Sequence, residues 1–413
     1  MHLIDQIWEE NMKVVGLIAE YNPFHNGHQY HIEKARKITG ADIVIVVMSG
    51  NFVQRGAPAI MPKHLRAEVA LKAGASLVIE LPVSYATGSA EFFAFGAVSL
   101  LDKLGCVDCI CFGSECGDIE VLQNLARIIH DEPEEYKSYL SQYLRQGNSF
   151  PLARQKAMTD YLKSDTASDI LAEPNNILGI EYLKALCKLE SKIKPYTISR
   201  MVSHYHDNNL CENYSSASAI RKALSESIDF NLDSQVPEVN IPLMRETCGT
   251  RYPIYINDFS ILLKYKLMSE TKETLTAYAD VSEELANRIY NHLNQFHSFE
   301  QFCELLKTKE ITYSKISRSL LHVLLGIKQT NMVDIAYAHV LGFRKSDAEL
   351  FSKIKKFSSI PIVTKLADTN FLSDDGKAQL EQDIYASNLY ESVIAEKFKT
   401  IFANEYEHPI VRI

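Results

Sequence analysis

Two histidines in an H-x-G-H turn, His25 and His28, are the side chains of this sequence best suited to chemistry. They follow an apolar run, Val14 to Ala19, that is typical of a buried parallel strand, and Pro23 ends that strand. The apolar spacing after the turn predicts a helix that begins there, with both imidazoles on one side of its first turn. Free backbone N–H groups and the positive helix end favour phosphate at such a place. The pattern indicates nucleotide chemistry, and the alternative is that the histidines only cap a helix.

This pattern resembles the nucleotidyltransferase superfamily with the H-x-G-H signature, whose members attack the α-phosphate of ATP and release pyrophosphate. The segments Gly16 to His28, Met48 to Gly56 and Cys111 to Glu115 narrow the resemblance to the bacterial tRNA(Met) cytidine acetate ligase family. The similarity runs from about Met12 to the C-terminus. It implies an ATP-dependent ligase that forms acetyl-adenylate from acetate and acetylates the wobble cytidine of elongator tRNA(Met) to N4-acetylcytidine, releasing AMP and pyrophosphate.

A second motif of the superfamily is serine-rich, ends in arginine and opens a late helix opposite the two histidines. The segment Ser215 to Arg221 resembles it. Serine hydroxyls and helix N-terminal N–H groups donate to phosphate oxygens, and the guanidinium fork of Arg221 matches them. Serines at a helix start are by themselves usually an N-cap. Together with the H-x-G-H turn, they predict His25, His28 and Arg221 as the catalytic residues, which stabilise charge on the phosphoryl oxygens.

Further ATP contacts follow from the resemblance and from side-chain chemistry. Gly113 follows a strand and lets its backbone approach the nucleotide, while Asn175 and Arg200 have the donors to contact it. An Asn after Pro is also a common turn, and an Arg at a strand end is often a surface ion pair. The predicted ATP-binding residues are Ile18, Ala19, Glu20, Tyr21, Asn22, Pro23, Phe24, His25, Asn26, Gly27, His28, Gln29, Tyr30, His31, Gly113, Asn175, Arg200, Ser215 and Ser216.

The acyl or cytidine substrate is predicted to contact the loop Asn51 to Gly56, with Lys63 nearby in sequence. Acetate is already an anion near neutral pH, so its activation needs no general base but needs a pocket that overcomes repulsion from the triphosphate. The walls of this pocket must exclude longer carboxylic acids by steric hindrance. The candidate wall residues are Phe24, Gly50, Phe52, Gly56 and Gly113.

No metal site is predicted from the residues. Mg²⁺ is inferred from the reaction alone, because the sequence shows no dedicated cage of Asp and Glu side chains. Four cysteines between Cys106 and Cys116 have a spacing that superficially suggests a metal. They coincide with an alternating strand pattern, where a free thiol behaves as a small hydrophobe in a reducing cytosol.

The segment from Lys307 to Lys345 is locally basic, with seven Lys and Arg residues against two acidic ones. Without a function, such a segment is usually a helical face that is exposed to solvent. With the family resemblance, the segment is predicted to contact tRNA. The predicted RNA-binding residues are Lys307, Lys309, Lys315, Arg318, Lys328, Arg344 and Lys345.

Strand-like runs alternate with helix-length segments in the first half of the chain, which predicts an α/β fold with a parallel sheet. The resemblance makes this a Rossmann-like nucleotidyltransferase domain of the HUP type, followed by a mainly helical C-terminal domain. The catalytic, ATP-binding domain is placed at residues 12–230, with a helical insertion near 131–171, and the helical domain at 231–413. The predicted strands are Val14–Ala19, Ile43–Met48, Leu77–Leu81, Val107–Phe112 and Lys194–Ile198.

Size and composition describe an ordinary globular chain of 413 residues with 46% hydrophobic and 23% charged residues. A net charge of −9 means that any RNA site must be a local basic patch. Residues 1–11 lack an export signal, and no apolar stretch approaches the ~20 residues of a membrane span, so we expect a cytoplasmic protein.

Two rival hypotheses remain from the sequence. The chain could be another adenylyltransferase or ligase of the superfamily that acts on a different small substrate, although the large basic helical half argues against it. It could also be a non-catalytic ATP- and RNA-binding protein, although intact His25, His28, Ser215, Ser216 and Arg221 argue against that.

Overall fold

The computed structural model describes residues 12–200, 215–227, 231–331 and 333–413. Its centre is one large sheet, and its second sheet is a short hairpin. The strands are β1 (Val14–Ala19), β2 (Ile43–Ser49), β3 (Phe52–Val53), β4 (Ala57–Pro58), β5 (Leu77–Leu81), β6 (Cys109–Ser114), β7 (Lys194–Ser199), β8 (Ala338–Phe343), β9 (Ile362–Val363) and β10 (Val411–Arg412).

Helices cover both faces of this sheet and build the C-terminal half. They are α1 (Asn26–Thr39), α2 (Lys63–Lys72), α3 (Val83–Ala86), α4 (Ala90–Lys103), α5 (Ile119–Asp131), α6 (Glu134–Arg145), α7 (Phe150–Leu162), α8 (Thr166–Ala172), α9 (Pro174–Lys188), α10 (Ala217–Glu226), α11 (Ile241–Thr247), α12 (Ser260–Met268), α13 (Lys272–Leu275), α14 (Glu283–His292), α15 (Phe299–Leu306), α16 (Tyr313–Leu325), α17 (Leu350–Phe357) and α18 (Asp374–Phe398).

Five parallel strands lie in the order β5-β2-β1-β6-β7. Every residue of β2 is buried because the sheet is covered on both faces. Alternate β2 side chains enter two separate cores, one shared with α4 and α9 and the other with α1, α2 and α10. The predicted α/β class is confirmed, and the carboxyl ends of the parallel strands share one edge, hereafter the catalytic edge.

The sheet differs from the purely parallel prediction because the C-terminal half adds strands to it. Strand β8 pairs antiparallel with β5, with Leu77 opposite Phe343, and β9 and β10 pair with β8. A boundary at residue 230 therefore does not separate the sheet from the helices. The division into two domains stays a prediction.

The helical half has its own core, formed mainly by α12 to α16 and α18. Phe52 and Val83 from the first half belong to this core, and the Val83 N–H donates to Asp383 Oδ1 of α18 at 2.7 Å. The segment predicted as a helical insertion, residues 131–171, contains the whole of α6 and α7 and all of α8 except its last residue. Among the described residues, no helix is long and apolar enough to span a bilayer.

Candidate active site

The H-x-G-H turn closes the start of α1 with a reciprocal pair of hydrogen bonds. His25 is the N-cap, and its Nδ1 accepts from the Gly27 N–H at 3.0 Å. His28 Nδ1 accepts from the His25 N–H at 3.2 Å. The two rings stack with their centroids 3.7 Å apart. The capping interpretation and the catalytic one are therefore compatible, because capping uses only one nitrogen of each ring.

Both imidazoles are neutral and carry their proton on Nε2, since Nδ1 accepts a backbone N–H in each ring. Burial, followed by the charges of Arg200 and Arg221, lowers the pKa of His25 to about 3. Burial also lowers the pKa of His28 well below its usual value, and that of His31 to about 4. Each of the two motif histidines, His25 and His28, thus keeps one Nε2–H donor at neutral pH, and phosphate oxygens are suitable acceptors for it.

The expectation of free backbone N–H groups at the start of α1 is wrong. The Asn26 N–H donates to Gln235 O at 3.0 Å, and the Gly27 N–H donates to the His25 ring. The His28 N–H donates to His25 O at 2.8 Å. Side-chain donors and the field of the helix must therefore attract an anion here.

The serine-rich motif lies against the H-x-G-H turn. Ser216 caps α10 by accepting from the Ala219 N–H at 3.1 Å. Arg221 donates to Asn22 O at 2.6 Å and to Ser218 Oγ at 3.1 Å. The two motifs predicted to hold the triphosphate are thus joined directly.

Gln235 was missed by sequence reasoning, although it connects these two motifs. Its carbonyl accepts from Asn26, and its Oε1 accepts from the Ser215 N–H at 3.3 Å. The side chain is almost fully buried. A lone Gln in a polar linker has no signal that marks it as a contact between distant motifs.

A clamp between β6 and α9 fixes Asn175 and Arg200. Glu115 accepts from the Asn176 N–H at 2.8 Å and from Asn175 Nδ2 at 2.5 Å. Asn176 Oδ1 in turn accepts from the Glu115 and Cys116 N–H groups at 2.9 and 3.1 Å. Asn175 Oδ1 then accepts from Arg200 Nη1 at 2.9 Å. Asn176 is therefore the structural member of the Asn pair. Glu115, which the sequence marked only as the end of a family-like segment, positions both Asn side chains.

Gly113 makes room for the Arg200 side chain. A Cβ at Gly113 would lie 3.1 Å from Arg200 Cγ. Cys111 of β6 and Cys106, which precedes this strand, have buried thiols, and burial raises their pKa values to about 12 and about 11. Buried thiols of raised pKa are unreactive packing groups.

The residues around the H-x-G-H turn divide by position. Ile18, Ala19 and Glu20 are partly exposed at the open end of the central strand, and Tyr21, Asn22, Pro23 and Phe24 are buried beneath the turn. Asn22 Oδ1 accepts from the Ile60 N–H at 2.7 Å. On α1, Gln29 Nε2 donates to Glu33 at 2.9 Å, and Tyr30 packs against the core.

The loop after β2 differs from the expected acetate pocket. Phe52 is fully buried and packs against Phe259 and Tyr390, with centroid distances of 5.5 and 5.9 Å. Gly56 has a φ of +76°, and a Cβ there would lie 2.4 Å from the Arg318 backbone nitrogen. These two residues dock the helical half and do not form a wall around acetate.

Lys63 is also not a substrate contact, because it is the centre of a buried ion cluster. Its Nζ lies 2.7 Å from Glu80 Oε2 and 2.8 Å from Glu405 Oε1. His339 Nδ1 lies 2.8 Å from Glu80 Oε2. Glu80, His339 and Glu405 have the atoms to ligate a metal, but the ammonium of Lys63 already pairs with both carboxylates and would repel a second cation there.

The predicted RNA-binding residues do not form one continuous face. Lys315 and Arg318 belong to α16, which packs against Gly56 of the loop that starts at the catalytic edge. Arg344 and Lys345 follow β8 beside the amino end of β5, where the Arg344 N–H donates to Ser76 O at 3.0 Å. That is the opposite edge of the sheet. Lys307 and Lys309 precede α16, and Lys328 follows its C-terminal end; all three are exposed.

Comparison with known proteins agrees with this geometry. Residues 12–405 match the HIGH Nucleotidyl Transferase family. A tRNA(Met) cytidine acetate ligase from Acetivibrio thermocellus is 44% identical over 392 residues, which cover 92% of this chain and 94% of that protein. The ligase of the same description from Clostridium acetobutylicum is also 44% identical and covers 92% and 96% of the two chains. This chain belongs to the tRNA(Met) cytidine acetate ligase family.

Solved structures support the assignment of the chain to the ligase family. The crystal structure of apo Thermotoga maritima TmcAL has a TM-score of 0.91 at 34% identity and covers 97% of this chain and 100% of that one. The structure of the same protein bound with alpha-thio ATP has a TM-score of 0.90 at 33% identity with the same coverage. The ligase-family fold therefore extends over both the sheet and the helical half.

Proposed function

We propose that this protein is an ATP-dependent ligase that forms acetyl-adenylate from acetate and transfers the acetyl group to the wobble cytidine of elongator tRNA(Met). AMP and pyrophosphate are released. The observation that carries the proposal is the convergence of His25, His28, Arg200 and Arg221 at the catalytic edge. Near-complete coverage by relatives described as tRNA(Met) cytidine acetate ligases supports the choice of substrates.

In the first step, an acetate oxygen attacks the α-phosphorus of ATP and pyrophosphate leaves. Negative charge then grows on the α-phosphoryl oxygens and on the leaving group. The Nε2–H groups of neutral His25 and His28 donate to these oxygens, and Arg221 adds a positive charge near the same turn. Fixed donors in a partly buried site stabilise this charge without reorganising during the reaction.

In the second step, the exocyclic amine of cytidine attacks the acetyl carbonyl, and AMP leaves. The new N–C bond replaces the mixed anhydride bond, and the amine loses one proton. We assign no protein residue to that proton. The phosphate oxygen of departing AMP is an available acceptor.

Mg²⁺ enters this scheme with ATP, held by phosphate oxygens and water. The described carboxylates at the catalytic edge do not fit a resident ion, because Glu20 already accepts from the Gln54 N–H and Glu115 is occupied by Asn175 and Asn176. In the cluster at Lys63, the ammonium already pairs with both carboxylates. No step is therefore assigned to a protein-bound metal.

For tRNA, we propose that the end of α16 that packs beside the catalytic edge contacts the RNA, with Lys315 as its leading residue. When the wobble cytidine reaches the adenylate, the anticodon arm of the tRNA lies next to the loop Asn51 to Gly56, which packs against α16. Lys307 and Lys309 precede the same helix end, whereas Arg344 and Lys345 lie at the far edge. A cytoplasmic location follows from the substrates and stays a prediction.

The exchange of radiolabelled pyrophosphate into ATP tests the first step. We expect exchange that requires acetate and is lost in His28→Asn. Exchange that another small acid or alcohol supports better than acetate would favour the rival superfamily hypothesis. Absence of exchange with and without bulk tRNA would contradict the adenylate intermediate.

A further inference from the structure

Arg66, in the first turn of α2, is a fully buried arginine. Its Nε donates to Met61 O at 2.9 Å, and its Nη1 donates to Glu20 O at 2.6 Å and to Ser49 O at 3.1 Å. Its Nη2 donates to Gly50 O. Within the described chain, every hydrogen bond of this guanidinium goes to a backbone carbonyl.

Three of these carbonyls, those of Glu20, Ser49 and Gly50, lie where two neighbouring strands stop. Ala19 of β1 is paired with Met48 of β2, so Glu20 and Ser49 are the next residues at the same level of the sheet. The chain after Glu20 enters the H-x-G-H turn, and the chain after Gly50 enters the loop that packs against α16. Beyond the last ladder bond such carbonyls need other donors.

We propose that Arg66 is a positioning residue of the active site, which holds the ends of β1 and β2 in one fixed arrangement and thereby sets the H-x-G-H turn against the loop after β2. The planar fork of a guanidinium reaches several carbonyls at once, whereas the ammonium of lysine is a compact point charge. The activity assay that tests this proposal rests on the proposed function, because it measures acetate-dependent adenylate formation.

The cost of burying Arg66 agrees with this role. A buried cation without a hydrogen-bonded carboxylate is expensive, and burial lowers the pKa of Arg66 to about 10, so it stays charged at neutral pH. Stability alone is better served by an apolar side chain at such a site. The hydrogen bonds of Arg66 to the backbone, hereafter the clasp, instead fix the H-x-G-H turn relative to the loop after β2. At a reacting centre, a misplacement of about 1 Å can lower a rate about a hundredfold.

The test compares Arg66→Lys and Arg66→Met with a matched control, Arg36→Met. Arg36 also donates to a carbonyl, Gly74 O at 3.1 Å, but beyond the C-terminal end of α2, far from the catalytic edge. Acetate-dependent pyrophosphate exchange is measured per folded molecule, with the folded fraction taken from unfolding curves at the assay temperature. We expect kcat to fall about a hundredfold in both Arg66 variants and to stay near the wild-type value in the control.

Wild-type kcat per folded molecule in Arg66→Met would overturn the proposal, because the effect would then be stability alone. Full rescue by Arg66→Lys would also overturn it, because a charge without the fork would suffice. Should neither variant fold, the Nε–H of Arg66 is followed in ¹⁵N-arginine-labelled wild-type protein by hydrogen exchange. Slow exchange supports the clasp, and rapid exchange refutes it. If the wild-type protein shows no pyrophosphate exchange, the proposed function is contradicted. The hydrogen-exchange measurement on Arg66 then still tests whether its hydrogen bonds hold the two strand ends.

Discussion

The chemistry of the two histidines depends on which nitrogen each ring offers. In His25 and His28, Nδ1 accepts a backbone N–H, and burial keeps the rings neutral. Capping of α1 uses Nδ1 of both rings, and the proposed stabilisation of the transition state would use Nε2. Variants that mimic one nitrogen at a time can separate the two roles.

We predict that His28→Asn folds like the wild type but forms acetyl-adenylate at least about a hundredfold more slowly. The Asn amide oxygen replaces Nδ1 as acceptor for the His25 N–H, but no donor remains at the Nε2 position. His28→Gln, whose amide reaches the Nε2 position, should retain more activity. Pyrophosphate exchange measures the rate, and circular dichroism checks the fold. A rate within tenfold of wild type in His28→Asn would remove His28 from the catalytic residues.

The depressed pKa of His25 predicts acid lability. Below pH ~6.5 the unfolded chain protonates this imidazole while the folded chain does not until about pH 3, so stability falls as pH falls through this window. The loss attributable to His25 is at most about 1.4 kcal/mol per pH unit. His25→Asn retains a capping acceptor for the Gly27 N–H. Denaturant unfolding between pH 6.5 and 5 should show a smaller loss in His25→Asn, and equal losses would contradict the neutral assignment.

At the scale of elements, the buried cluster at Lys63 joins α2, β5, β8 and the C-terminal tail. Lys63→Met would leave Glu80 and Glu405 buried together without a counter-charge. We predict a loss of about 3–5 kcal/mol in the free energy of unfolding at pH 7. Lys63→Met combined with Glu405→Gln should lose less, because one buried charge is removed.

Lys72→Met is the control for this cluster, since Lys72 pairs with Glu68 in a half-exposed i,i+4 arrangement on the same helix. Its loss should stay below about 1 kcal/mol. Urea unfolding compares the three variants. If Lys63→Met were as stable as Lys72→Met, the cluster would not hold these elements together.

The sequence predicted the elements that have strong local patterns. The strands Val14–Ala19 and Leu77–Leu81 were predicted with the observed bounds, and the predicted strand Val107–Phe112 is displaced by two residues to Cys109–Ser114. Strand β8 was missed because it lies among helices, and its partner β5 is far away in the chain. Pattern reasoning detects periodicity but not such distant pairing.

The sequence proposed site residues where a motif contained them, and it proposed none where only backbone contacts position the site. His25, His28 and Arg221 were selected by residue type and spacing, and their catalytic role stays a prediction. Glu115, Gln235 and Arg66 act on backbone groups of distant segments, a role that leaves no pattern in the sequence. Phe52 was misplaced because an aromatic residue beside a strand end packs equally well into a pocket wall or into a core.

At the scale of the whole molecule, the sheet separates the basic residues into two groups. Lys315 belongs to the side of the catalytic edge, and Lys345 lies at the opposite edge. A protein of net charge −9 must bind RNA through a local group of cations. In the proposed function, the position of that group relative to the H-x-G-H turn would set which part of the tRNA reaches the adenylate.

We predict that Lys315→Glu weakens tRNA binding and flattens its salt dependence, because a lost phosphate contact reduces counterion release. Lys345→Glu carries the same change of charge at the far edge and should bind nearly as the wild type does. Arg318 is unsuitable for this test, since its Nε donates to Asp280 at 3.0 Å. Filter binding at several salt concentrations measures both variants. A stronger effect from Lys345→Glu would move the RNA site to the other edge.

The most direct test of the proposed function is incubation of the protein with ATP, Mg²⁺ and radiolabelled acetate, with and without bulk tRNA, followed by digestion of the tRNA to nucleosides and chromatography. The account predicts label in N4-acetylcytidine that depends on ATP and on tRNA, and none with the His28→Asn protein. Label that stops at acetyl-adenylate, or that appears in another product while the tRNA stays unlabelled, would contradict it.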